Sequence, residues 1–87
     1  MIEVHRIDKT TYEVIVEDDT TTTHEVTLDE DYYMELTNGA VTEEILIHKS
    51  FEFLLEREPN TMILREFNLS VIERYFPEYK MAINKRI

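Results

Sequence analysis

Three short segments near the start of the chain alternate apolar and polar residues, at positions 2–5, 12–17 and 25–28. A period of two places successive side chains on opposite faces of a β-sheet, and here it predicts a sheet with one buried face. Sequences rich in Asp and Thr at 8–11 and 18–21 separate the segments and are typical of turns. Because links this short cannot cross over to a parallel strand, residues 1–28 predict a three-stranded antiparallel meander in the order 1-2-3.

After residue 28 the spacing of apolar residues becomes helical. Asp29 is a good N-cap for a short helix, and Gly39, the only glycine, suits the left-handed residue that follows a helix. Thr42 is expected to cap a longer helix that runs to about Arg57 and is stopped before Pro59. The apolar stripe of this helix is broader than one sheet face requires, which places it centrally or at a dimer interface.

Shorter helices are predicted in the last third of the chain. Asn60 is expected to cap one through Arg65, and Asn68 to cap the next. Pro77 interrupts that helix or begins a last one, and residues 84–87 are expected to fray at the end of the chain.

The predicted fold class is therefore α+β, with the N-terminal meander packed on several C-terminal helices. One domain is expected over residues 1–87, with the sheet in 1–28 and the helical part in 29–87. The expected core consists of the inward-facing residues of both parts: Val4, Val14, Val16, Val26, Leu28, Leu36, Ile47, Phe51, Leu54, Ile63, Phe67, Ile72 and Phe76.

Composition narrows the class of protein. A hydrophobic fraction of 43% is too high for a disordered acidic chain. No cysteine is present, so disulfides and thiolate metal sites are excluded. The apolar runs fall far short of the ~20 residues of a membrane-spanning helix, and residues 1–5 do not resemble a signal peptide. We therefore expect a cytoplasmic protein that does not cross a membrane.

Charge is distributed very unevenly along the chain. Residues 1–44 carry 13 acidic and 2 basic residues, whereas residues 45–87 carry 6 acidic and 7 basic residues. An acidic surface repels phosphate and attracts basic partners. The C-terminal third does mix basic with aromatic residues, but Glu66, Glu73 and Glu78 dilute its positive charge. Nucleic acid is accordingly not an expected partner.

Candidate metal ligands do not form a recognisable site. His24 is expected on the buried face of the sheet, His5 on the opposite face and His48 on the long helix, and no pair has metal-binding spacing. The acidic runs 18–19 and 29–31 lack the spacing of a calcium loop and suit turns and helix caps instead. No metal and no cofactor is expected.

Catalytic motifs are equally lacking. Ser50 and Ser70 do not stand in a nucleophile elbow, and no glycine-rich phosphate loop is present. Among nineteen acidic residues, nothing singles out one pair for acid–base chemistry. The expectation is that the protein is not an enzyme.

Residues 24–57 resemble a ribbon-helix-helix unit in the order of their elements: strand 24–28, a short helix, a turn at 38–42 and a long helix. That family consists of dimeric DNA-binding repressors and antitoxins whose paired strands enter the major groove. The resemblance implies a transcriptional regulator or antitoxin. The groove-facing positions would be Thr23, Glu25 and Thr27, none of which is basic.

A second and more distinctive resemblance covers residues 51–79. The sequence Phe-Glu-Phe-Leu-Leu-Glu-Arg-Glu-Pro at 51–59, followed by the stretches 63–69 and 72–79, is similar to a group of small uncharacterised bacterial proteins. The resemblance implies a free-standing cytoplasmic domain of bacterial type. It brings no activity and no catalytic residues.

The function expected from these observations is a small acidic protein-interaction module that binds a protein with a basic surface. Ile7 and Ile15 break the alternation and face away from the core side, which leaves a homodimer open. A ribbon-helix-helix-like regulator or antitoxin is the alternative, and a purely solubilising role for the acids is the simplest competing account. The candidate binding residues lie on the polar face of the sheet and in its second turn: Glu13, Glu17, Asp18, Asp19 and Glu25.

Overall fold

The structure is a computed structural model that describes residues 1–87. Three strands follow one another in an antiparallel meander, and the observed bounds are β1 (Ile2–Arg6), β2 (Thr11–Glu17) and β3 (Thr21–Thr27). The first turn is held by Asp8, whose carboxylate accepts hydrogen bonds from the backbone N–H groups of Thr10 and Thr11 at 3.0 Å. These three strands and their order confirm the prediction from the period of two.

A fourth strand, β4 (Glu66–Asn68), lies beside β3 and runs parallel to it, so the sheet is mixed and has the order β1-β2-β3-β4. The sequence predicted an antiparallel sheet of three strands only, and helices on both sides of Asn68. A segment of three residues is too short to show a period. Its parallel pairing also needs the long crossover through α1 and α2, which no local pattern reveals.

Four helices follow the meander, with β4 between the second and the third: α1 (Glu30–Thr37), α2 (Glu43–Leu55), α3 (Ile72–Tyr75) and α4 (Tyr79–Arg86). The predicted ends of α1 and α2 are largely confirmed. The Thr42 hydroxyl accepts a hydrogen bond from the N–H of Ile45 at 3.2 Å, and Gly39 has a φ of +79°. The fold is therefore α+β. None of the helices has both the length and the apolar character that a membrane-spanning helix requires.

Two predicted capping side chains make other contacts. Asp29 precedes α1, but its carboxylate accepts from the side-chain amide of Asn68 at 3.1 Å instead of capping the helix. Asn60 begins a single 3₁₀ turn (Asn60–Met62) instead of capping a helix that reaches Arg65. Its side chain is buried under the sheet, where it satisfies backbone and hydroxyl oxygens of β2, β3 and their turn. Asn68 does cap the following 3₁₀ turn (Leu69–Val71) through the N–H of Ser70.

The expected fraying of residues 84–87 is wrong for most of that segment. Helix α4 continues to Arg86, because Ile83 is fully buried and the Arg86 guanidinium donates to the Glu56 carboxylate at 2.6 Å. Burial of Tyr79 anchors the start of the same helix, where its ring packs edge-on against Phe53 at 5.3 Å between centroids.

The helices cover one face of the sheet, and the core lies between them. Of the expected core residues, Val4 and Phe76 are only partly buried, and the others are buried. Six further buried residues were not expected in the core: Tyr12, Leu46, Phe53, Leu69, Tyr79 and Ile83. Several of them belong to the broad apolar surface of α2 and to α4, whose packing partners the sequence could not show.

A chain of buried hydrogen bonds joins the loop after α2 to β3. The Asn60 amide donates to the Thr22 hydroxyl at 3.1 Å, and that hydroxyl lies 2.8 Å from Nε2 of His24, to which it can donate. Nδ1 of His24 then donates to the backbone oxygen of Leu64 at 2.8 Å. Burial disfavours the charged imidazole and lowers the pKa of His24; the hydrogen bond to Leu64 acts in the opposite direction, and the positive charge of Arg65 lowers the pKa further. We therefore take His24 to be neutral, with Nε2 as the acceptor from Thr22.

The neutral His24 predicts how stability depends on pH. Because the folded-state pKa lies below the ordinary value of 6.5, the unfolded chain binds the proton more tightly. The His24 contribution is therefore complete above that value and is lost as the pH falls towards the folded-state pKa. We expect the free energy of unfolding to fall as the pH drops below 6.5, with a His24 contribution of at most about 1.4 kcal/mol per pH unit.

Urea unfolding at several pH values measures this slope. The matched control replaces the exposed His5 and the half-exposed His48 with Gln and should keep the slope. A wild-type stability that stays flat or rises as the pH falls below the ordinary histidine pKa would contradict a neutral His24.

Two buried tyrosines give a matched pair of variants. The Tyr79 hydroxyl contacts Ser50 Oγ at 2.6 Å, whereas the fully buried Tyr12 hydroxyl has no hydrogen-bond partner. We expect Tyr79→Phe to lower the free energy of unfolding by about 1 kcal/mol, and Tyr12→Phe to leave it unchanged or raise it. Urea unfolding of both variants makes the comparison; a larger loss for Tyr12→Phe would show that its hydroxyl is bonded in solution.

Candidate protein-binding surface

The outer face of the sheet is not covered by any helix. Across this face the register aligns one residue from each strand in a row: His5, Glu13, Glu25 and Glu66. Three of the four are carboxylates, and the neighbouring row contains Glu3, Ile15 and Thr23. The uncovered face therefore presents mainly carboxylates and threonines around the partly buried Ile15.

The structure places three of the five sequence-predicted candidates on the strands of this face and the other two in the turn that follows β2. Glu13 and Glu25 are directly paired across β2 and β3, and Glu17 ends β2. Asp18 and Asp19 are exposed in the turn that follows. None of the five forms an ion pair within 4.0 Å; the observed pairs all involve other carboxylates.

A sixth carboxylate, Glu66 on β4, lies beside Glu25 and was not anticipated. A hydrogen bond with the Glu66 carboxyl, and then its negative charge, raise the pKa of Glu25. Two exposed carboxylates thus face each other without a cation between them. Sequence reasoning missed Glu66 because it did not find β4; the only available signal was the polar–apolar–polar order of residues 66–68.

Several acids on the helical side, in contrast, are paired with cations of the same chain. Lys80 contacts Glu35 and Glu73, and Arg86 contacts Glu56. Helical cations therefore neutralise much of the charge around them. The unpaired charge of the candidate residues stays on the outer sheet face and its second turn.

An apolar groove lies on the other side of β4, between the end of α2 and α3. It has a volume of about 180 Å³ and is lined by ten residues, nine of them apolar. Met62, Leu64 and Tyr75 on its walls are 67%, 47% and 66% exposed. The one charged residue in the lining is Glu58, and burial raises the pKa of its carboxyl. Apolar side chains this exposed in one place are typical of a contact surface.

A smaller polar cleft of about 150 Å³ lies between the first turn and the starts of α1 and α2. Its charged residues, Arg6, Lys9, Glu30 and Glu43, are of opposite sign and equal number. The Arg6 guanidinium donates to the backbone oxygens of Asp8 and Lys9, so it holds the turn closed. We assign this cleft a structural role.

No group of three or more His, Asp or Glu side chains is arranged to hold a metal ion. The three histidines lie apart: His24 is buried in the hydrogen-bond chain, His5 lies next to Glu3, and His48 lies on α2 next to Glu52. The chemistry that this surface offers is the binding of cations and apolar groups.

Comparison with known proteins finds no matching family model, no matching curated protein and no matching solved structure. The resemblances to ribbon-helix-helix proteins and to the small bacterial group thus rest on sequence pattern alone.

Proposed function

We propose that this chain is a small acidic protein-interaction module that binds a protein with a basic surface, in the cytoplasm and without catalysis. The observation that supports this proposal best is the row of unpaired carboxylates across an uncovered sheet face. Charges that a protein does not neutralise within itself are available to a partner. They speed association and favour a partner surface of opposite charge.

The Glu25–Glu66 pair adds a specific reason for a cationic partner. A hydrogen bond with the Glu66 carboxyl, and after it the negative charge of Glu66, raise the pKa of Glu25, because ionising both carboxyls places like charges side by side. A Lys or Arg side chain placed between them removes the repulsion and lets both ionise. The bound state would therefore relieve an unfavourable interaction of the free protein.

The same carboxylates bear on self-association. In a homodimer formed through the outer sheet face, two identical acidic surfaces would meet, and their repulsion opposes that arrangement. A homodimer would have to use a less acidic surface. We therefore favour a different, basic protein as the occupant of the acidic face.

The alternative is a ribbon-helix-helix-like regulator or antitoxin, since β3, α1 and α2 follow the order of that unit. Two features favour the interaction module over it. Strand β3 is paired on both edges, by β2 and by β4, so it has no free edge for a second copy. Its outward residues are Thr23, Glu25 and Thr27, and none of them has a basic side chain that could contact a phosphate group.

The test is a charge-removal series in the tagged protein purified from its native host. The binding variant carries Glu13→Gln, Glu17→Gln and Glu25→Gln, and the control variant carries Glu30→Gln, Asp31→Asn and Glu44→Gln, which also removes three charges. We expect the binding variant to lose a basic partner that the control variant retains. A variant in which the charge of all five candidates is reversed should lose the same partner. High salt should release the partner and nuclease should not.

Each other outcome has a definite meaning. Equal retention by both variants would overturn the proposal and leave the acids a solubilising role. A complex that nuclease removes would favour the regulator. Circular dichroism of each variant shows whether it is folded. We expect all the variants to fold, because removing a repulsive carboxylate should not destabilise the sheet.

A further inference from the structure

Strand β4 lies at the edge of the sheet and separates two different surfaces. It pairs with β3 alone, so the backbone groups along its other side pair with no strand. Because side chains alternate along a strand, Phe67 faces the apolar groove, and Glu66 faces the outer carboxylate row. An unpaired strand edge is a template on which an extended segment of another chain can add.

The size of the groove limits what it can hold. Its volume of about 180 Å³ is close to that of an engineered apolar cavity of about 150 Å³ that binds benzene. It is smaller than the roughly 300–1,000 Å³ of most metabolite or drug sites. The groove therefore fits one large apolar side chain.

Charge decides which kind of molecule carries that side chain. Glu58 stands in the groove without an ion pair, and burial already raises the pKa of its carboxyl. An anionic amphiphile such as a fatty acid would place a second negative charge beside it. On the opposite face of β4, the Glu25–Glu66 pair lacks a cation. The groove therefore disfavours an anionic occupant, and the outer face of β4 favours one with positive charge.

We propose that an extended segment of a basic protein adds to the free edge of β4 as a fifth strand. Its residue opposite Phe67 inserts an apolar side chain into the groove. The residues on either side of that one point to the outer face, where a Lys or Arg pairs with Glu25 and Glu66. The recognised sequence is therefore basic–apolar–basic. This inference rests on the proposed function, since it names the segment through which the basic partner binds.

The first test uses a short synthetic peptide in which Lys alternates with Leu and Val. Its control has the same composition, with the Lys residues grouped at one end. In the alternating peptide, Leu and Val point to the groove while Lys points to the outer carboxylates. The grouped sequence cannot place both kinds of residue beside β4 in this way. We expect the alternating peptide to bind the full chain about tenfold more tightly in a fluorescence anisotropy titration, and to shift the amide NMR signals of Glu66 and Asn68 most.

The second test separates apolar contact from charge. Leu64→Glu places a carboxylate on the groove wall, and Met81→Glu places one on α4, outside the groove. Both variants add one negative charge, which by itself attracts a basic peptide. We expect Leu64→Glu to weaken binding of the alternating peptide by about tenfold or more, because the inserted side chain loses its apolar site. Met81→Glu should bind as the wild type does or slightly more tightly.

The outcomes distinguish this inference from the proposed function. If both peptides bind equally and Leu64→Glu has no effect, while Glu17→Gln and Glu25→Gln weaken binding, the inference is wrong and the acidic module stands. If binding of the alternating peptide depends on Leu64 but is indifferent to salt and to Glu25, the proposed function is wrong. Amide shifts confined to β1, the other sheet edge, would also overturn the inference.

Discussion

The neutral imidazole of His24 is the group on which the arrangement of this molecule depends. It accepts one hydrogen bond from Thr22 and donates another to the backbone of Leu64. Asn60 completes the chain from the other side, so one buried polar network holds the segment before β4 at two points, in the 3₁₀ turn and at Leu64. A buried network of this kind holds its elements in one geometry, because each unmade bond leaves a buried polar group without a partner.

That loop brings β4 to the sheet. The carbonyl of Arg65, one residue beyond Leu64, accepts the N–H of Glu25 at 2.7 Å, and the parallel pairing begins there. Once β4 is in place, Glu66 meets Glu25 on the outer face and Phe67 forms part of the groove on the inner face. The acidic row and the groove therefore share one structural origin, and both stand beside a free strand edge.

The sequence predicted well what depends on local pattern. The period of two located β1, β2 and β3, and Thr42 and Gly39 marked real helix boundaries because capping and positive φ have direct residue preferences. It correctly placed His24 on the buried face but could not name Leu64, which is forty residues away, as its partner. Asn60 was misread as a cap because an Asn that satisfies distant oxygens has the same local sequence as an Asn that begins a helix.

The candidate surface shows the same division. Glu13, Glu17 and Glu25 follow from strand parity, and Asp18 and Asp19 from the turn. Glu66 and the groove depend on parallel pairing between segments far apart in the chain. A strand of three residues is too short for its sequence pattern to predict that pairing. Glu66 and the groove, which the sequence did not predict, are the parts that give the binding surface a defined shape.

Amide hydrogen exchange tests most directly whether neutral His24 holds β4 in place. The Glu25 N–H reports on the β3–β4 pairing, and the Glu17 N–H, bonded to the carbonyl of Met1 at 2.8 Å, reports on β1–β2. As the pH falls from about 7 to about 5, the protection factor of the Glu25 amide should fall more than that of the Glu17 amide, because the β3–β4 pairing is lost locally as well as by global unfolding. A loss at Glu17 that equals or exceeds the loss at Glu25, or no loss at either amide, would contradict the account.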